Sequence, residues 1–139
     1  MENSFNTVLA TIVSRFSADV GTIHKLDKKD NQLHLVAYTH GIPENIIEGV
    51  RKIPLGKGIA GTTAQEKKPT VIGDLVTDRT DYVIPIARTA GIQGMMCVPV
   101  FDKEEVVGTI SVGCVKERQF TEPEIDKLIE IGKELADTF

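Results

Sequence analysis

The segment LGKGIAG, Leu55 to Gly61, spells G-x-G-x-x-G with Gly56, Gly58 and Gly61. As a string it is the fingerprint of a dinucleotide-binding unit. That unit needs a buried parallel strand running into the glycines, then a helix, then a second parallel strand. Upstream stands only VRKIPL, charged and carrying Pro54, which makes a poor central strand. Downstream the helix-forming run is short. The strong strands QGMMCVPVF and EVVGTISVGCV flank DKEE as an antiparallel hairpin, not as a crossover unit. Asp78 and Asp81 stand at an offset suited to a ribose, but chance meets that offset easily. Gly56-Lys57 is not followed by Ser or Thr, which excludes a P-loop. The glycines therefore need another explanation.

Working outward, the chain reads as one α+β unit over residues 1–139, with no repeat, linker or low-complexity segment. Phe5, Val8, Leu9, Ile12, Val13 and Phe16 recur at helical spacing and predict an opening helix with one apolar stripe. DVGTIHKLD and NQLHLVAYTH follow as two antiparallel strands about a polar turn. IPENIIEGV predicts a short helix, and IAGTTAQEKK another that ends before Pro69. TVIGDL is a strand, and DYVIPIARTAGI is a partly helical stretch interrupted by Pro85. The chain closes on a helix from Glu122, announced by Thr121 and Glu124 as a capping box.

Composition bounds the function. The chain has 139 residues, 41% hydrophobic and 26% charged, which suits a soluble single domain with one core. A net charge of −4 and the lack of a basic cluster argue against a nucleic-acid surface. No window is apolar enough to span a membrane and no secretory signal opens the chain, so the expected compartment is the cytoplasm.

IPLGKGIAGTTAQEKKPTVIGDL, then GMMCVPVFDKEEVVGTISV, then FTEPEIDKLIEIGKELA resemble the GAF domain family over essentially the whole chain. The resemblance rests on the Gly-Ile-Ala-Gly helix start, the Pro69 to Asp74 strand, the Pro99 and Gly108 strands and the closing Phe-Thr-x-x-Glu helix. It implies a central antiparallel sheet of five to six strands, with the N- and C-terminal helices on one face. Short helices and loops would enclose a small-molecule pocket on the other. It also implies a sensory role, in which an unidentified small molecule controls an output domain such as a kinase, cyclase or transcription activator. Carried onto this sequence, the candidate ligand-binding residues are Tyr38, Ile59, Ala60, Asp74, Tyr82, Ile86 and Ser111. Each has a plainer role open to it. The glycines around Ile59 and Ala60 permit a tight turn and close packing. Asp74 can cap a turn, and Tyr82 can pack under the lid that Thr77 to Gly91 would form.

Departures from the family narrow the ligand. The cyclic-nucleotide pattern of Asn-Lys, then Phe, then Asp-Glu reads here Cys114-Val115, Phe120 and Glu124-Ile125, so a cyclic nucleotide is not expected. Residues 80–92 hold no Cys to attach a tetrapyrrole. No cofactor is expected. A catalytic relative, free methionine-(R)-sulfoxide reductase, uses a thiolate nucleophile and resolving cysteines. Cys97 and Cys114 do not match its motif. If DKEE centres the hairpin, Cys97 faces Ile110 and Cys114 faces Gln93, an offset of about 13 Å that is too far for a disulfide. Two buried, inert thiols and no catalytic residue are the expectation.

A metal would need His24, His34 and His40 to converge with a carboxylate or thiolate. Strand parity places His34, Tyr38 and His40 on one face but too far apart, and His40 at a strand end is expected to be exposed. No metal site is expected. Ile125, Leu128, Gly132, Leu135 and Phe139 form a short heptad-like seam, and Phe5, Leu9, Ile12 and Phe16 follow the same rhythm. Leu9, Val13 and Ile131 suggest apolar surface beyond the face that covers the sheet, so a homodimer through the terminal helices is expected. The closing helix is expected to continue past Phe139 into an output domain. A ligand-free dimerisation module and a reductase-like enzyme are the alternatives to a sensor.

Overall fold

The computed structural model describes residues 4–72 and 91–139. In chain order these form α1 (Ser4–Arg15), β1 (Val20–Asp27), β2 (Gln32–Tyr38), α2 (Glu44–Val50), β3 (Lys52–Pro54), α3 (Gly58–Glu66), β4 (Thr70–Ile72), β5 (Gly94–Asp102), β6 (Glu105–Cys114) and α4 (Glu122–Ala136). The six strands make one sheet in the order β3-β2-β1-β6-β5-β4, and every pairing is antiparallel. That topology removes the doubly wound reading of the glycine segment, since no parallel crossover feeds it. VRKIPL does yield a strand, but a short one at the sheet edge, where Pro54 costs no central ladder bond. Among the described residues, no helix is long and apolar enough to cross a membrane.

The sheet separates two apolar layers. On one face Leu9, Ile12, Val13 and Phe16 from the α1 region join Leu128 and Leu135 of α4 over Ile23, Met96, Val98, Val100, Ile110 and Val112. On the other, Ile59, Ala60 and Ala64 of α3 pack with Leu33, Ile72, Cys97 and Val106. Alternation along β5 and β6 produces this division, because successive side chains leave a strand on opposite faces. Leu9 and Val13 are buried in the core, so they offer no outer surface; that part of the expected dimer seam is corrected. The buried stripe of α1 is spent on the sheet, while Phe5 and Val8 are only half-buried. Ile131 is half-buried.

Two irregularities shift register and face. Val100 pairs with Gly108 but Phe101 with Val106, so Val107 is an extra residue in β6. Beyond it Cys97 lies opposite Ser111 rather than Ile110, and Cys114 opposite Gly94 rather than Gln93. A one-residue slip moves side chains to the other face. Cys114 therefore packs beneath the terminal helices and Cys97 beneath α3. Both thiols are free and buried. In β2, Ile23 pairs with Ala37 but His24 with Leu35, leaving Val36 as the extra residue. Tyr38 opposite Thr22 and His34 opposite Lys25 consequently fall on different faces, against the parity expected from sequence.

The closing helix starts as its sequence announces. The Thr121 hydroxyl accepts from the Glu124 N–H, and the Glu124 carboxylate accepts from the Thr121 N–H. Arg118 extends this cap into a clamp. Its guanidinium donates to the Phe16 carbonyl and, at 3.3 Å, to that of Ser17 at the end of α1. It also meets Glu124 Oε2 at 2.6 Å and lies 4.4 Å over the Phe120 ring. The exit of β6 is thereby tied to both terminal helices.

Candidate functional site

The three glycines of LGKGIAG are explained by what they pack against. Gly56 and Gly58 have φ of 82° and 62°, the left-handed region that side-chain-bearing residues avoid. A Cβ on Gly61 would stand 2.4 Å from the Pro54 carbonyl oxygen, and the Gly56 N–H bonds the Gly61 carbonyl at 2.9 Å. The segment folds the chain from the edge strand β3 straight into α3 and presses the first turns of that helix against it.

This placement leaves a cavity of about 260 Å³ between the sheet and its covering segments. Its walls come from the start of β1 and the end of β6, from α2 and the loop before it, from β3 and from Lys57 to Ala60. Ile92 and Met95 complete the described lining. Most of the surface is apolar. α3 begins at Gly58 with Lys57 as N-cap and no side-chain cap, so its first-turn N–H groups lack the usual side-chain acceptor.

Of the residues expected to bind a ligand, the structure brings Ile59, Ala60 and Ser111 to this cavity. Tyr38 lies on the same side of the sheet, beside the lining residue Thr22, but is 42% exposed and outside the cavity wall. Asp74, Tyr82 and Ile86 lie outside the described residues, as does nearly all of the expected lid.

His24 is a buried polar lining residue that sequence reasoning did not select. It is 2% exposed, and its Nε2 donates to the Val50 carbonyl at 2.8 Å. Burial holds its pKa below the ordinary value, against the opposing pull of that hydrogen bond. The ring is therefore a neutral acceptor at Nδ1 in the folded protein. The signal in the sequence was its position between the apolar Ile23 and the charged Lys25, on the face that Thr22 and Ser111 share. The α2 residues Ile46, Gly49 and Val50 also line the cavity and carried no chemical signal at all.

Cys97 sits beneath α3 beside Ser111, its partner in the β5–β6 ladder. Burial pushes its thiol pKa up, and hydrogen bonds with Ser111 and Thr63 only oppose that rise. Thr63 in turn donates to the Ile59 carbonyl at 2.7 Å and meets Thr70 at 2.8 Å. A thiol held protonated is a poor nucleophile.

The histidines do not converge. His40 is exposed, and His34 pairs with Asp30 at 2.7 Å at the tip of the β1–β2 hairpin. Asp27 joins that pair to give three donor atoms within 4.8 Å. The Asp27 and Asp30 carboxylates also accept from the Lys29 and Gln32 N–H groups, which accounts for the cluster as a hairpin-tip network.

The family model for the GAF domain matches residues 1–139. No curated protein matches the chain. Among solved structures, it superposes on the GAF domain of a phosphoenolpyruvate-protein phosphotransferase from Coxiella burnetii with a TM-score of 0.80 and 17% identity, over 95% of this chain and 77% of that one. It is also similar to a free methionine-R-sulfoxide reductase from Neisseria meningitidis, solved with its substrate: TM-score 0.78, 20% identity, 96% of this chain and 74% of that one. A domain of a protein assigned as a two-component sensor histidine kinase in Sinorhizobium meliloti gives a TM-score of 0.77 at 16% identity, over 99% of this chain and 90% of that one. At such identities the likeness is one of fold.

Proposed function

Given that the chain belongs to the GAF domain family, we propose that it is a small-molecule-sensing regulatory domain without catalysis of its own. The observation that carries this is the cavity beside α3. It is walled mainly by apolar side chains, it has the uncapped helix start at one end and it holds Ile59, Ala60 and Ser111 together. Such a concave apolar site with a few polar groups is how small ligands are generally held. Ligand bound there touches Ser111 to Gly113 at the end of β6. Arg118, just beyond, clamps both terminal helices, so strain at the cavity has a short path to the elements through which a partner or attached output domain would be biased.

A homodimer through the terminal helices remains part of the proposal. Half-buried Phe5, Ile125, Ile129 and Ile131 supply its apolar surface, and the edge-on Phe5–Phe139 contact at 5.5 Å joins the two helices that would form it. The burial of Cys97 and the placement of Cys114 on the opposite face support a non-enzymatic reading. Native mass spectrometry of the purified chain tests the core of it. A small molecule that co-purifies and is released on unfolding is expected. Loss of free methionine sulfoxide that depends on Cys97 would instead make the domain an enzyme.

A further inference from the structure

One part of the cavity wall is held to the rest of the fold at one end. α2 and the loop before it contribute Gly41, Ile42, Ile46, Gly49 and Val50 to the lining. Among the described residues, the hydrogen bonds that tie residues 40–51 to the sheet all lie at the C-terminal end of this segment. His24 Nε2 donates to the Val50 carbonyl at 2.8 Å, and the Leu35 N–H donates to the Arg51 carbonyl at 2.9 Å. His24 and Leu35 are themselves partners in the β1–β2 ladder, so both bonds meet the sheet at one place, beside the Val36 bulge. Elsewhere the bonds of the segment are internal: the Ile46 and Ile47 N–H groups both donate to the Pro43 carbonyl, and Arg51 pairs with Glu48.

The other end is free to turn. Gly41 has a φ of 96°, and a Cβ there would meet only Val20 Cγ1, at 3.8 Å. Pro43 caps α2 without a side-chain hydrogen bond. Ile46 and Ile47 are buried, yet neither belongs to the apolar layers that the sheet separates. They are covered by the closure of the segment itself.

Resting on the sensing role proposed above, we infer that α2 is a movable cover of the cavity and that the His24–Val50 hydrogen bond is its latch. Residues 41–50 swing out between Gly41 and Arg51. That motion breaks the latch and brings Ile46 and Ile47 into water. A ligand in the cavity touches Ile46, Gly49 and Val50, so its binding holds the cover shut. His24 is a positioning residue in this scheme, because it acts on the ligand through α2. The latch needs only the Nε2 proton, which the ring keeps because the Val50 carbonyl can only accept.

The test is hydrogen exchange of the full chain, refolded to strip any bound molecule and read amide by amide by NMR at rising urea below the unfolding transition. In the wild type, Ile46 to Val50 should exchange ahead of β1, β5 and β6, with a dependence on urea that marks exposure of buried surface rather than fraying. His24→Phe removes the donor and should speed exchange at these amides by about 3- to 10-fold while leaving β5, β6 and α4 unchanged. His24→Gln keeps an N–H for the Val50 carbonyl and should restore the wild-type rate. The wild-type measurement stands by itself should His24→Phe fail to fold. Exchange of α2 at the rate of the sheet, or a rise in His24→Phe shared by β5, β6 and α4, would overturn the inference. Because no ligand enters this measurement, it separates from the sensing role: independent opening in a chain that holds no small molecule would uphold the cover and sink the sensor. Uniform exchange in a chain that does hold one would do the reverse.

Discussion

Acidification should destabilise the fold through His24, and the size of the effect follows from where the ring sits. Burial lowers its pKa from 6.5, outweighing the hydrogen bond to the Val50 carbonyl that raises it, and the like charge of His34 lowers it further. In the unfolded chain the imidazole takes up a proton near its ordinary pKa; in the folded chain it stays neutral to lower pH. A depressed folded-state pKa contributes stability that is present above pH 6.5 and is lost as the pH falls towards the folded value. One proton bound only by the unfolded chain gives a slope approaching ~1.4 kcal/mol per pH unit. Moving from pH 7.5 to 5.5 should therefore cost up to about 1.4 kcal/mol from this group. Urea unfolding at half-unit steps measures it by linear extrapolation. His24→Gln preserves the bond to Val50 and removes the titration, so its stability should be flatter than the wild type's by that amount. Identical pH slopes in the two proteins would refute the placement of a neutral, buried ring in the cavity wall.

Arg118→Met removes hydrogen bonds to the end of α1, the contact with Glu124 and the stacking on Phe120. With the guanidinium only 24% exposed, urea unfolding should show a loss of about 2–3 kcal/mol, the scale of charge-assisted hydrogen bonds plus a cation–π contact. Gly61→Ala places a methyl 2.4 Å from the Pro54 carbonyl oxygen; the resulting shift of α3 should cost about 1–3 kcal/mol in the same assay. The Glu124 carboxyl is held below 4.5, first by the Thr121 N–H and then by Arg118. It contributes stability above pH 4.5 that is lost as the pH falls through its folded value, so Glu124→Gln should flatten the acid limb of a pH–stability curve below 4.5.

Much of the fold was legible because periodicity and end signals agree in this chain. The capping box at Thr121 and Glu124 forms as written, and the apolar stripe of α1 buries Leu9, Ile12 and Val13. The hairpin about DKEE is centred where the sequence puts it, with Asp102 opposite Glu105. What escaped was set by single extra residues. Val107 and Val36 are ordinary strand formers, and nothing in their chemistry marks them as bulges, yet each reassigns a face beyond itself. That is why Cys97 and Cys114 part company and why His34 and Tyr38 do not share a side. The candidate site was half legible. Ile59, Ala60 and Ser111 come from the family resemblance, and all three line the cavity. His24 and Arg118 act through backbone carbonyls, of Val50 and of Phe16 and Ser17, that lie far away in sequence. No local pattern encodes those partners.

The central claim is that the space beside α3 is a ligand site. Its most direct test is the melting temperature of the full chain across a small-metabolite library, alongside Ala60→Leu, which places extra carbons into the cavity wall. A ligand at 100 times its dissociation constant stabilises the folded state by about 2.7 kcal/mol, which for a chain of this size is a rise of roughly 8 °C. The account predicts such a rise for at least one compound in the wild type and none for that compound in a folded Ala60→Leu protein. A compound that raises both equally, or a library that raises neither, would contradict it.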